Sequence, residues 1–117
     1  MSIYETHRIS DPCMPCIFHA NTVLHPNYHS MQPNWHENVE ILQILSGSGV
    51  LICDTKRFFV SEGDTVVINT NCLHFFESVP DGISYHCLIT DRAFCIANHF
   101  DTNTIIFKEH FALFLSK

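Results

Sequence analysis

The sequence predicts an all-β domain: an antiparallel sandwich or barrel with little helix. Three observations carry this. Short β-compatible runs recur along the chain, clusters of Gly, Pro, Asn and Asp separate them, and no long segment repeats its apolar residues with a helical period.

Met1 to Pro15 reads as an N-terminal arm. It mixes polar and apolar residues, and Pro12 and Pro15 suit neither a helix interior nor a central strand. The β domain is expected over residues 16–117. Cys16 to Leu24 is the first strand, with Ile17, Phe18, Thr22 and Val23. His25 to Asn34 contains Pro26, Asn27, Ser30 and Pro33 and reads as a loop. Glu37 to Leu45 is the strongest strand signal, apolar on both faces, as expected where a sheet is covered on each side. Ser46-Gly47-Ser48-Gly49 is expected to turn the chain. Strands then follow at Val50 to Cys53, Arg57 to Val60 and Thr65 to Ile68. His74 to Ser78 is extended, Val79-Pro80-Asp81-Gly82 is a tight turn, and Ile83 to Thr90 is a strand. Ala93 to His99 reads as a helical turn or a loop. Thr104 to Phe107 and His110 to Leu115 read as late strands. The chain stops just after an apolar run, Phe111 to Leu115, so further sequence is expected to follow.

Composition narrows the function classes. The chain has 117 residues, 46% of them hydrophobic, with ten Phe. That is one domain with ample material for a core. The net charge is −6, with six Lys plus Arg spread along the chain. Nucleic-acid binders concentrate basic residues on one face, so this segment is a poor candidate for holding DNA by itself. The N-terminus lacks the charged start and apolar run of a signal peptide, and the apolar runs are too short to span a bilayer. A cytoplasmic protein without membrane contact is the simplest reading. Its six cysteines are then mostly reduced, and Cys53, Cys72 and Cys87 lie in apolar segments as small hydrophobes.

The chemistry centres on Asn34 to His74. Asn34, His36 and Glu40 lie at even spacing, and in an extended strand such residues share a face. A second segment, from Gly63, ends in His74. If a barrel brings His74 beside His36 and Glu40, two imidazoles and a carboxylate meet inside an apolar shell. That set suits a polar small molecule or a divalent metal. Leu42 shares the face of Glu40, and Phe76 that of His74. His86 lies mid-strand in phase with Ser84 and Leu88, and is expected to line the same interior while Tyr85 faces outward. Trp35 is in opposite phase and is expected to pack outside the barrel or against the arm. Cys13-Met14-Pro15-Cys16 is a lone Cys-x-x-Cys with no second pair, so it reads as two free thiols. No nucleophile elbow, P-loop or dinucleotide fingerprint is present.

Asn34-Trp35-His36, Glu40-Ile41, the turn residues Gly47 and Gly49, Gly63-Asp64, Ile68-Asn69 and His74 resemble the two motifs of the cupin superfamily. The similarity is closer to the N-terminal sensing domain of AraC-type transcription regulators, and it covers about residues 16 to 90. The resemblance implies a small antiparallel jelly-roll (cupin) barrel that binds an effector, a sugar or another polar metabolite. The ligand set would be Asn34, His36, Glu40, Leu42, His74, Phe76 and His86. The family implies an arm that helps close the site, and a DNA-binding domain that is expected beyond this chain. It departs from metal-binding cupins at Asn34, where the first of two histidines is usual. His36, Glu40 and His74 remain as donors for Zn, Ni or Fe. The alternative reading is a metal-dependent cupin enzyme of isomerase or dioxygenase type. A homodimer is expected as an option, because pairing relieves exposed sheet edges.

Overall fold

The computed structural model describes residues 3–9, 14–28, 33–102, 106–107 and, for their backbone, 110–112. Along these the chain forms β1 (Ile3–Tyr4), β2 (Cys16–Leu24), β3 (Asn34–Trp35), β4 (Glu40–Cys53) and β5 (Lys56–Ser61). It continues through β6 (Asp64–Ile68), β7 (His74–Ser78), β8 (Ile83–Thr90), α1 (Arg92–Ala97) and β9 (His110–Ala112).

One strand holds the architecture together. The first half of β4 pairs with β6 and β8, and the second half with β5 and β7. It therefore belongs to two sheets, β2-β8-β4-β6-β9 and β1-β3-β7-β4-β5, and folds one over the other. All pairings are antiparallel except β1 with β3. The result is the all-β jelly-roll architecture expected, with one short helix.

The continuity of β4 corrects the sequence reading, which placed a turn at Ser46 to Gly49. No turn forms there. The register shifts between Ile44 and Ser46 and again between Val50 and Leu51, so the strand bends by bulges and passes from one sheet to the other. Gly47 makes this possible. It sits at φ +80°, and a Cβ there would run into the Gly82 carbonyl. The glycines mark a bend and a close backbone approach, which local sequence does not distinguish from a hairpin.

The core lies between the sheets. Leu42, Ile44, Leu51, Val60, Val66 and Ile68 are nearly inaccessible and pack with Phe76, Ile83 and Ile89. Alternation explains these assignments on β4: Glu40, Leu42 and Ile44 are buried, while Gln43 is exposed.

Three smaller elements complete the fold. The arm forms a two-residue parallel ladder, Ile3 opposite Asn34 and Tyr4 opposite Trp35. Tyr4 packs edge-on against Trp35 at 4.8 Å and bonds the Glu37 carboxylate, so docking rather than periodicity creates β1. The weak segment after β8 is α1, capped by Asp91, whose side chain accepts from the Ala93 N–H. Ile106 and Phe107 are not in a strand, and the other ends of the expected late strands, 104–105 and 113–115, lie outside the described residues. No helix among the described residues is long and apolar enough to cross a membrane.

Candidate functional site

His36, Glu40 and His74 converge. The Nε2 of His36 is 2.9 Å from Glu40 Oε1, and the Nε2 of His74 is 3.6 Å from the same oxygen. The two rings meet edge-on, 5.1 Å between centroids. His36 is 1% exposed, and Glu40 and His74 are each 8% exposed. Three different contexts supply them. His74 and Glu40 open β7 and β4, while His36 lies on the bend between β3 and β4. The expected reason for convergence, one extended strand from Asn34 to Glu40, therefore does not hold. The bend aims His36 at Glu40.

Both rings are locked at their other nitrogen. His36 Nδ1 lies 2.7 Å from the Asn38 carbonyl, and His74 Nδ1 lies 3.0 Å from the Cys72 carbonyl. A carbonyl only accepts, so each Nδ1 carries a hydrogen. Each Nε2 is then either a second N–H aimed at Glu40 or a lone pair available to a cation. Burial by itself opposes the charged form of Glu40. Hydrogen bonds from both histidines, and their charge, outweigh it and hold the carboxyl far below its usual range. Burial likewise pulls His74 down, but the hydrogen bond and charge of Glu40 overcome this and raise it.

A cavity of about 510 Å³ opens beside this cluster. Asn34, Glu40, Leu42, His74 and Phe76 line it, as expected from the sequence, whereas His36, 1% exposed, sits behind Glu40 and does not reach the cavity wall, a correction to the expected ligand set. Nor does His86. It faces the other side of β8, accepts the Asn21 N–H and packs on Phe18 at 5.2 Å, so this expectation is corrected. Tyr85, Cys87 and Ile89 face the cavity instead. The apolar parity of Ile83, Cys87 and Ile89 was the signal that sets the phase of β8. Burial, and next the charge of Glu40, push both the Tyr85 hydroxyl and the Cys87 thiol up.

The arm adds residues that sequence reasoning missed. Glu5, Thr6, His7 and Arg8 lie over the cavity. His7 packs on the His36 ring at 4.4 Å, and its Nε2 is 2.6 Å from Glu5 Oε1. Asn38 is a hub among these groups. Its carbonyl accepts from His36, its Oδ1 accepts the Arg92 backbone N–H, and its Nδ2 donates to His7 Nδ1 at 3.1 Å. Because the Arg92 N–H fixes the amide orientation, His7 Nδ1 must accept, and Nε2–H donates to Glu5.

The donor chemistry fits a divalent cation. One ring nitrogen each of His36 and His74 and a Glu40 oxygen lie within 4.8 Å of one another, as do donors of Glu5, His7 and His36. Cys13 of the Cys-x-x-Cys lies outside the described residues, and Cys16 is a free thiol.

This fold, with polar side chains gathered at one cavity, defines a cupin-type barrel. The chain resembles a cupin 2 conserved barrel domain protein from Rhodopseudomonas palustris, with 21% identity and a TM-score of 0.60 over 71% of this chain and 57% of that one. A cupin protein from Bacteroides fragilis is similar at 21% identity and TM-score 0.60, over 67% of each chain. An oxalate decarboxylase from Bacillus subtilis is more distant, with 19% identity and TM-score 0.51 over 69% of this chain and 22% of that one. The chain thus spans little more than half the length of the first of these, and all three likenesses concern the fold. No curated protein matches. Within the cupin class, the chain belongs to the family of AraC-like ligand-binding domains, whose family model matches residues 23–95.

Proposed function

We propose that this domain senses a polar metabolite, a sugar among the candidates, inside the barrel. Glu40 and His74 bind its polar groups, with Glu40 held by His36 behind it, while Leu42, Phe76 and the ring of Tyr85 exclude water. The observation that carries this reading is a cavity of about 510 Å³ at which buried acceptors and donors converge against apolar walls. The response to DNA belongs to a fused domain, as the family suggests, and the cytoplasm is the compartment that suits the free thiols. Binding then shifts how the arm or a joined segment packs, to the extent that the effector favours one arrangement. A metabolite and sugar panel read by thermal shift and calorimetry tests the proposal. A hit is expected, lost in His36→Ala and His74→Ala. A hit that both variants retain places the site elsewhere.

One observation favours a second reading. Both imidazoles spend Nδ1–H on backbone carbonyls and turn Nε2 toward one carboxylate, as metal-ligating histidines do. His36, Glu40 and His74 would then hold Zn, Ni or Fe. The metal would supply a Lewis acid for an oxygen-bearing effector, or for isomerase- or dioxygenase-type turnover. Elemental analysis of untreated protein separates the readings: stoichiometric metal is expected for the second, and none sinks it.

A further inference from the structure

Three barrel donors leave a divalent cation short of ligands. Asn34 occupies the position where a third imidazole would complete four donors, and an amide oxygen is a weak donor. The arm brings a replacement. The β1–β3 ladder, continued by the Glu5 N–H to the Trp35 carbonyl at 2.9 Å, sets Glu5 level with His36. Glu5 lines the same cavity as Glu40 and His74, and its carboxylate lies within 4.8 Å of a His36 ring nitrogen in a group with His7 and His36; Glu40 and His74 form a second group around His36, so the Glu5 side chain must turn toward them to join a metal there. Its side chain is 39% exposed, whereas that of His7 is 5% exposed. His7 therefore acts as a buried support, donating Nε2–H to one Glu5 oxygen and held in that tautomer by Asn38. Among the described residues only Oε1 of Glu5 is bonded by His7.

We propose that Glu5 is a ligand supplied by the arm: a divalent metal held by His36, Glu40 and His74 recruits the Glu5 carboxylate and latches the arm across the cavity mouth. His7 and Asn38 are positioning residues. The charge balance supports this. Two carboxylates neutralise a dication in a low-dielectric site, where one carboxylate with two neutral imidazoles leaves a net positive charge. The carboxylate–histidine pairing of Glu5 with His7 also matches the way outer partners orient metal ligands. This inference rests on the metal reading of the preceding subsection and adds arm closure to it.

The test uses the full chain, stripped with a chelator and titrated with Zn²⁺. Calorimetry reads affinity. Trp35 emission reads arm docking, because Trp35 is the single tryptophan and Tyr4 of the arm packs on it. Trypsin cleavage after the exposed Arg8 gives an independent measure. In the wild type, Zn²⁺ is expected to bind, change Trp35 emission and slow cleavage. Glu5→Gln is expected to bind about 10–100-fold more weakly and to lose both arm responses. His7→Ala is expected to fall between, and Glu40→Gln to lose binding altogether. Metal-free circular dichroism establishes that each variant is folded. Wild-type affinity and arm protection in Glu5→Gln overturn the latch and leave the three-donor metal site standing. No Zn²⁺ binding by the wild type overturns both.

Discussion

Two cavities reach β4, and they treat buried polar groups in opposite ways. Leu51, His74 and Phe76 face the first, while Cys53 and Cys72 face the second, of about 390 Å³. Around the first, the buried side chains of His36, Asn38 and Glu40 all have partners, and two rings aim at one oxygen. Around the second, the hydroxyls of Thr70 and Thr102 are buried with no partner among the described residues. The Cys72 thiol is pushed up by its hydrogen bond to Cys53 and by burial, so it stays protonated and unreactive. Size and buried polarity therefore do not make a site. Convergence of oriented donors on one point does.

The most severe test of that contrast is Glu40→Gln. It removes the charge that both imidazoles face and should cost about 3–5 kcal/mol, as for breaking a buried ion pair, read by urea unfolding near pH 6. A loss below about 1 kcal/mol would show that the convergence contributes little. Asn38→Ala comes next. It leaves the Arg92 N–H and His7 Nδ1 without partners, and about 1–3 kcal/mol is expected. It should also loosen the arm, seen as a changed Trp35 emission.

The pH dependence of the metal-free protein is the third and smaller effect. His74 is raised above its ordinary 6.5, so its contribution is full below that value and disappears as pH climbs through the folded pKa. Glu40 is lowered from 4.5, so its contribution is present above that value and disappears as pH falls through the folded pKa. Stability should thus be greatest between about 4.5 and 6.5 and decline above, with a slope of at most about 1.4 kcal/mol per pH unit. A flat profile from pH 6 to 8 in unfolding experiments would refute the charged pair. The smallest effect belongs to the second cavity. Thr102→Val exchanges an unpartnered hydroxyl for a methyl, so melting should be unchanged or rise slightly, within about 1 kcal/mol.

How much of this was legible depends on range. The strands Cys16–Leu24, Lys56–Ser61, His74–Ser78 and Ile83–Thr90 follow from short β-rich runs bounded by turn residues, to within a residue or so. His36, Glu40 and His74 stood out because buried polar residues in apolar strands need partners. The phase of β8 is set by the apolar side of Ile83, Cys87 and Ile89, which turns His86 outward, so the histidine alone gives no guide to its own direction. Gly47 and Gly49 read equally as a hairpin or a bend in the sequence, because a bulge and a hairpin demand the same backbone freedom. Glu5, His7 and Asn38 carried no periodic signal, since a two-residue ladder and a hydrogen-bonded bend leave none.

The order of hydrophobic and turn residues by itself determined an all-β domain and named the three polar residues worth following. Local spacing acts through alternation and turn chemistry, so it reaches a few residues along the chain and no further. Which groups meet, by contrast, was decided only when β4 crossed between sheets and the arm docked beside β3. Those events join positions more than thirty residues apart, and they depend on packing and on hydrogen bonds that exist only in the folded chain.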